Sequence, residues 1–143
     1  MRRRDEGREH ALRDLHEVYT QIDQLLAPFS CANSATCCRF AETGRQPYVT
    51  QLELEALGKP PPQAQPRRLP LLGDCPLLDA SGRCSRYAVR PFGCRTYFCE
   101  QREGPRRFPR DEVNRLARTL QDLSLRHYPE SRETRPLTRA LKR

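Results

Sequence analysis

Two stretches of the chain carry apolar residues at helical spacing. Between residues 10 and 27 the apolar positions lie three residues apart or next to one another, as on one face of an α-helix, and Pro28 ends the pattern. Residues 109–128 repeat this spacing and predict a second amphipathic helix. The apolar positions are Leu12, Leu15, Val18, Tyr19, Ile22, Leu25 and Leu26 in the first stretch, and Val113, Leu116, Ala117, Leu120 and Leu123 in the second.

A capping box predicts a short third helix. Glu53 follows Thr50 by three residues, a pair that satisfies backbone N–H groups at a helix start, and Gly58 is a typical C-terminal stop. We expect the leucines of this helix to face inward only in part. They are Leu52, Leu54 and Leu57.

The middle of the chain predicts turns and short elements. In residues 75–87 two short runs flank a turn signal that contains glycine, which is typical of a β-hairpin. Pro91 suits the first position of a short helix that continues to Cys94. Residues 30–44 predict a loop, and the proline-rich residues 60–70 predict an extended connector.

These elements predict a single domain. Residues 1–9 are expected to be a frayed basic N-terminus, residues 10–128 one domain, and residues 129–143 a basic C-terminal tail with Leu137 and Leu141 as docking points. The fold class that follows is small, irregular α+β and mostly helical. Two amphipathic helices flank a cysteine-rich core, for which we favour metal binding, with one short β-hairpin.

The composition limits what the core can contribute. Of the 143 residues, 36% are hydrophobic, 31% are charged and none is Trp. Such a chain gains limited stability from apolar burial, so its seven cysteines indicate a further stabilising device, either bound metal or disulfides.

Net charge and hydropathy argue against nucleic-acid partners, membrane binding and secretion. The net charge is +8, and all but two of the 26 basic residues are Arg. Because these are interspersed with acidic residues and form no stripe, we expect no nucleic-acid partner. No stretch approaches the ~20 apolar residues of a spanning helix, and no apolar segment follows the basic opening as in a secretory signal. We therefore expect a cytoplasmic protein that does not bind membranes.

The cysteines are confined to one span outside both predicted long helices. Core cysteines would be scattered over helix faces, and a disulfide framework fits neither an odd number nor a cytosolic compartment. Thiolate ligation of a soft metal is the favoured account. The candidate ligands are Cys31, Cys37, Cys38, Cys75, Cys84, Cys94 and Cys99.

The spacing of these cysteines leaves the identity of the metal open. It matches neither the CxxC knuckles of zinc fingers nor a ferredoxin run. The adjacent Cys37 and Cys38 suit one ligand beside one buried or redox-active thiol, or two irons of one cluster. Because seven cysteines exceed the four of a tetrahedral ion, we favour an iron–sulfur cluster or iron, with zinc as the alternative.

An ordered set of motifs within about residues 30–99 is similar to a known family. The motifs are Cys37-Cys38-Arg39, Val49-Thr50-x2-Glu53, Cys75-Pro-Leu-Leu-Asp, Gly82-Arg-Cys84-Ser-x-Tyr87 and Arg90-Pro91-x2-Cys94-Arg95. Together they resemble the YkgJ-type cysteine-cluster family of zinc- or iron-chelating domains. The resemblance implies a cytosolic bacterial protein that binds zinc, iron or an iron–sulfur cluster.

One departure from the family pattern concerns the first cysteines. The family opening, CxxCxxCC, supplies four cysteines, whereas this chain supplies only three there, which puts a site of two or more ions in doubt. By matching position, Cys37, Cys38, Cys75, Cys84 and Cys94 carry over as ligands. Cys31 carries over less directly because its spacing differs, and Cys99 ranks last.

Arginines of the same motifs are candidate cofactor-binding residues. Arg39, Arg90 and Arg95 would offset the negative charge of several thiolates in a poorly solvated site. The alternative is that they are ordinary surface arginines. For Tyr87 we expect packing within the hairpin core, with a contact to the cluster as the alternative.

Three functions remain open at this point. The first is a metal or iron–sulfur protein with an electron-transfer or accessory role toward an unknown protein partner. The second is a structural zinc module that binds protein or RNA, and the third is a cluster-dependent, methylase-like enzyme, since a flagellin lysine-N-methylase shares this kind of cysteine cluster. The histidines add little, because His10 and Asp14 form one pair on a charged face and His127 has no evident acidic partner.

Overall fold

The computed structural model describes residues 2–28, 46–58, 75–79, 81–96 and 109–141, which form a small and mostly helical α+β fold. A 3₁₀ turn at Tyr87–Val89 precedes the third helix. In chain order the other elements are α1 (Arg2–Leu25), β1 (Tyr48–Val49), α2 (Gln51–Leu57), α3 (Phe92–Arg95), α4 (Arg110–His127), β2 (Arg135–Pro136) and α5 (Leu137–Ala140).

Helices α1 and α4 pack together through the apolar faces that the sequence predicts. The apolar residues of this first cluster lie between the two helices, and Leu52 of α2 and Phe92 of α3 complete it. Burying each Val, Leu, Ile or Phe side chain of this cluster contributes about 1.5–3 kcal/mol. The cluster includes Ala11, Leu15, Val18, Tyr19, Ile22 and Leu26 from the first stretch and Val113, Leu116 and Leu120 from α4.

Helix α1 begins at Arg2, eight residues before the start that its apolar pattern predicts. Residues 2–9, which we expected to be frayed, are helical. They are mostly charged residues of good helix propensity, and such residues extend a helix without adding to an apolar stripe. An ion pair of 3.4 Å between Arg8 Nε and Glu55 Oε2 links this extension to α2. No described helix, α1 included, is long and apolar enough to cross a membrane.

Helix α2 is the predicted capped helix, but it is buried more deeply than expected. Thr50 and Glu53 form the capping box, and Gly58, with a φ of 66°, ends the helix. Leu52 and Leu57 are both almost fully buried, because Leu52 belongs to the first cluster and Leu57 to a second one. The helix therefore connects two apolar clusters.

The C-terminal segment is part of the fold, which corrects our expectation of a tail after residue 128. Strand β2 pairs antiparallel with β1, so that Val49 lies opposite Arg135. Leu137, expected as a docking point, is 1% exposed, and its backbone N–H donates to the Pro47 carbonyl over 3.0 Å. The second cluster consists of Val49, Leu57, Cys75, Leu77, Leu78 and Leu137.

The predicted hairpin within residues 75–87 is reduced to a turn closed by one antiparallel bridge, between Leu78 and Cys84. Asp79 organises the turn: its Oδ1 accepts hydrogen bonds from the backbone N–H groups of Ser81 and Arg83 over 2.9 and 3.0 Å. Gly82 adopts a φ of 81°, which favours glycine. The predicted loop 30–44 and connector 60–70 lie outside the described residues.

Replacing Leu137 tests whether the C-terminal segment belongs to the folding unit. We expect Leu137→Ala to lower the free energy of unfolding by about 2–5 kcal/mol, because the substitution leaves a cavity in the second cluster. Urea denaturation measures the loss, and Leu141→Ala, at a partly buried position of the same segment, serves as the control. Equal, small effects of the two variants would show that residues 135–141 do not support the fold.

Candidate metal centre

Three of the seven candidate ligands lie in the described residues: Cys75, Cys84 and Cys94. The other four, Cys31, Cys37, Cys38 and Cys99, lie outside them, as does Arg39. The described cysteines are carried on turns and on the short helix α3. As the sequence indicates, neither α1 nor α4 contains one.

Cys75 and Cys84 come together at the second apolar cluster. Cys75 is 4% exposed and opens a tight turn, in which the Leu78 N–H donates to the Cys75 carbonyl over 3.2 Å. Cys84, in the bridge with Leu78, packs against the same cluster. Two cysteines that are nine positions apart in the chain therefore lie at the same cluster.

Cys94 lies on α3, close to a group of buried polar side chains. Glu53 is 1% exposed, and its carboxylate accepts three hydrogen bonds. Oε2 accepts from the Thr50 backbone N–H over 2.8 Å and from the Thr50 hydroxyl over 3.1 Å, and Oε1 accepts from the Phe92 N–H over 2.8 Å. One carboxylate thus caps α2 and also fixes the first residue of α3. Burial raises the pKa of Glu53, although its hydrogen bonds act in the opposite direction.

Arg95 is buried, which rules out our alternative of an ordinary surface arginine for this residue. Its side chain is 4% exposed and donates to Asp23 Oδ2 over 2.6 Å. Two further donors bind the carbonyls of Arg90 and Ala88, each over 2.9 Å. The guanidinium carbon also lies 3.9 Å from the centroid of the Tyr19 ring. A direct contact of Arg95 with thiolates stays a prediction.

Tyr19 joins these groups into one network. Its hydroxyl is buried beside Glu53 but has no hydrogen bond of normal geometry within the described part of the chain. Burial, followed by the neighbouring Glu53, raises the pKa of Tyr19 well above its ordinary range. Arg95 lowers it, and Cys94 raises it further. Cys94 is therefore within electrostatic reach of the Tyr19–Arg95 contact.

Arg90 and Tyr87 form a separate, more exposed contact. The Arg90 guanidinium lies 4.1 Å from the Tyr87 ring centroid, and its Nη1 donates to the Tyr87 carbonyl over 3.0 Å. Tyr87 is 41% exposed, so our expectation that it packs within the hairpin core is wrong. The physical reason is that residues 87–89 form a 3₁₀ turn instead of a second hairpin strand.

His127 has an acidic partner that the sequence does not reveal. Asp14 Oδ2 lies 3.6 Å from His127 Nε2 and 3.7 Å from His10 Nε2, and the two imidazole rings are 6.1 Å apart. Only the packing of α1 on α4 brings Asp14 to His127, so no local spacing could have revealed this pair. Within the described ranges, no three His, Cys, Asp or Glu side chains are grouped so that they could hold a metal ion.

The donor chemistry fits a soft metal, although the described residues do not supply a complete site. Cys75 carries a free thiol, and sulfur donors on turns suit zinc or iron. Four ligands would require cysteines from residues 29–45 or 97–108, which contain the remaining four.

The chain matches no protein-family model, no curated protein and no solved structure.

The buried carboxyl of Glu53 gives the stability of the protein a pH dependence. Because burial raises its pKa in the folded state above the unfolded value, its contribution is fully present below the unfolded pKa and is lost as pH rises through the folded pKa. We expect Glu53→Gln to flatten the decline of the unfolding free energy over this interval. Urea denaturation at a series of pH values measures the slope.

Glu55→Gln is the matched control, since Glu55 lies on the same helix but is only partly buried and pairs with Arg8. We expect this variant to keep the slope of the unmodified protein. If Glu53→Gln also kept it, Glu53 would not be the group that titrates.

Proposed function

We propose that this protein binds a soft metal centre through cysteine thiolates, most directly an iron–sulfur cluster or iron, with zinc as the alternative. Its role would be electron transfer or the support of a protein partner. The cysteines would be the ligands, drawn from the seven between residues 31 and 99. The proposal includes a cytoplasmic, reducing compartment, where thiols stay available for metal.

The observation that carries this proposal is the way the fold supports Cys94. Its helix has only four residues, yet it is held by Glu53 from α2 and by Asp23 and Tyr19 from α1. Such burial of charged groups costs free energy unless every group is paired. Such support for a partly exposed cysteine favours a role for Cys94 as a metal ligand over a role in packing alone.

Two features of the sequence favour iron–sulfur over zinc. Seven cysteines exceed the needs of one tetrahedral zinc ion, and the adjacent Cys37 and Cys38 suit two irons of one cluster. The resemblance to the YkgJ-type family supports metal binding without choosing between the metals. A bound cluster would supply one-electron redox chemistry, whereas zinc would mainly add folding energy.

Replacing single cysteines tests the proposal. We expect Cys84→Ser and Cys94→Ser each to lose most of the bound metal, because a serine hydroxyl is a poor ligand for soft metals. The measurement is iron, zinc and acid-labile sulfide content together with visible absorption, on protein purified without oxygen. Far-UV circular dichroism shows whether each variant is folded.

His127→Asn is the control, since His127 contacts Asp14 and lies on α4, which contains no cysteine. We expect it to retain its metal. Metal loss from His127→Asn, or full metal content in both serine variants, would contradict ligation by thiolates alone.

A further inference from the structure

Helix α3 cannot hold Cys94 in place by itself. It spans only Phe92–Arg95, a single turn, and isolated helices of this length are unstable in water. Its position must therefore come from contacts with other elements. In the described residues those contacts are made at both ends of the helix and on one side.

The N-terminal end of α3 is fixed by Glu53. The Phe92 N–H donates to Glu53 Oε1 over 2.8 Å, while the same carboxylate closes the capping box of α2 through Thr50. Because Glu53 is 1% exposed, water does not compete for these hydrogen bonds. The start of α3 is thus tied to the start of α2.

The C-terminal end of α3 is fixed by Arg95. Its guanidinium binds Asp23 of α1 and also the carbonyls of Ala88 and Arg90, which precede the helix. These bonds fold residues 88–95 back on themselves and dock them on α1, where the guanidinium also covers the Tyr19 ring. A planar fork with several fixed donors is what such a junction requires, and lysine cannot reproduce it.

Gly93 allows α3 to lie close to Pro47, on one side of the helix. A Cβ atom at this position would lie 2.7 Å from Pro47 Cβ, so any side chain here would force the neighbouring atoms to shift. The residue directly before Cys94 is therefore packed against the segment that leads into β1. Helix α3, which carries Cys94, is therefore fixed at both ends and on one side.

We propose that Glu53 and Arg95 are positioning residues that fix Cys94 as a metal ligand, an inference that rests on the proposed function. Their charges are satisfied by Thr50, Phe92, Asp23 and backbone carbonyls, so they act through the geometry of α3. Outer contacts of this kind that orient a metal ligand typically change metal affinity by about 10–100-fold when removed.

Arg95→Lys tests the inference on protein purified without oxygen. We expect this variant to fold and to take up metal, but to release iron or zinc to a chelator about 10–100-fold faster and to show an altered visible circular dichroism spectrum. Asp23→Asn removes only the ion pair, which is half-exposed on the aspartate side, and serves as the milder variant if Arg95→Lys does not fold. We expect a smaller change in the same direction.

A control of similar instability separates positioning from a general loss of stability. Ala11→Gly weakens α1 two turns away from Tyr19 and costs about 1 kcal/mol. We expect it to release metal at the rate of the unmodified protein. The inference would be overturned if, across Arg95→Lys, Asp23→Asn and Ala11→Gly, the rate of metal release depended only on the loss of thermal stability.

Cys94→Ser separates this inference from the proposed function. If Cys94→Ser retained metal as the unmodified protein does, Cys94 would not be a ligand and the positioning role would fall, while binding by the other cysteines would stand. If the unmodified protein itself held neither iron nor zinc, the proposed function would fail and the inference with it.

Discussion

The buried guanidinium of Arg95 is the constraint on which the rest of the structure depends. A charge removed from water needs partners on all sides, and here they are Asp23, two backbone carbonyls and the face of Tyr19. These partners come from the second half of α1 and from residues 88–90. Residues 88–95 must therefore lie against α1, and this places Cys94 near α1 as well.

Apart from the contacts of Arg95, the described residues are organised as two apolar clusters joined by α2. The first unites α1 with α4, and the second unites the turn at Cys75 with the C-terminal Leu137. With 36% hydrophobic residues, neither cluster is large. Polar contacts made by Glu53 and Arg95 hold helix α3, which carries Cys94, and a bound metal would add folding energy there.

Elements with a strong local signal could be predicted from the sequence, whereas those created by tertiary contact could not. The spacing of Leu15 or Leu116 and the Thr50–Glu53 capping box each belong to one helix. Strand β2 has two residues and exists only because β1 lies beside it. The motifs single out Arg95 together with Arg39 and Arg90, but the sequence does not show that Arg95 is buried against α1. Asp14 meets His127 only through helix packing. At the candidate centre, segregation of the cysteines was predictable, but the support beneath Cys94 was not.

The central claim is that cysteine thiolates bind metal on this scaffold. The most direct test is the iron, zinc and acid-labile sulfide content, with the visible absorption spectrum, of the unmodified protein purified without oxygen. We expect near-stoichiometric metal, with iron, sulfide and a broad visible band for a cluster, or zinc and a flat spectrum for the alternative. Protein that is folded and contains neither iron nor zinc would contradict it.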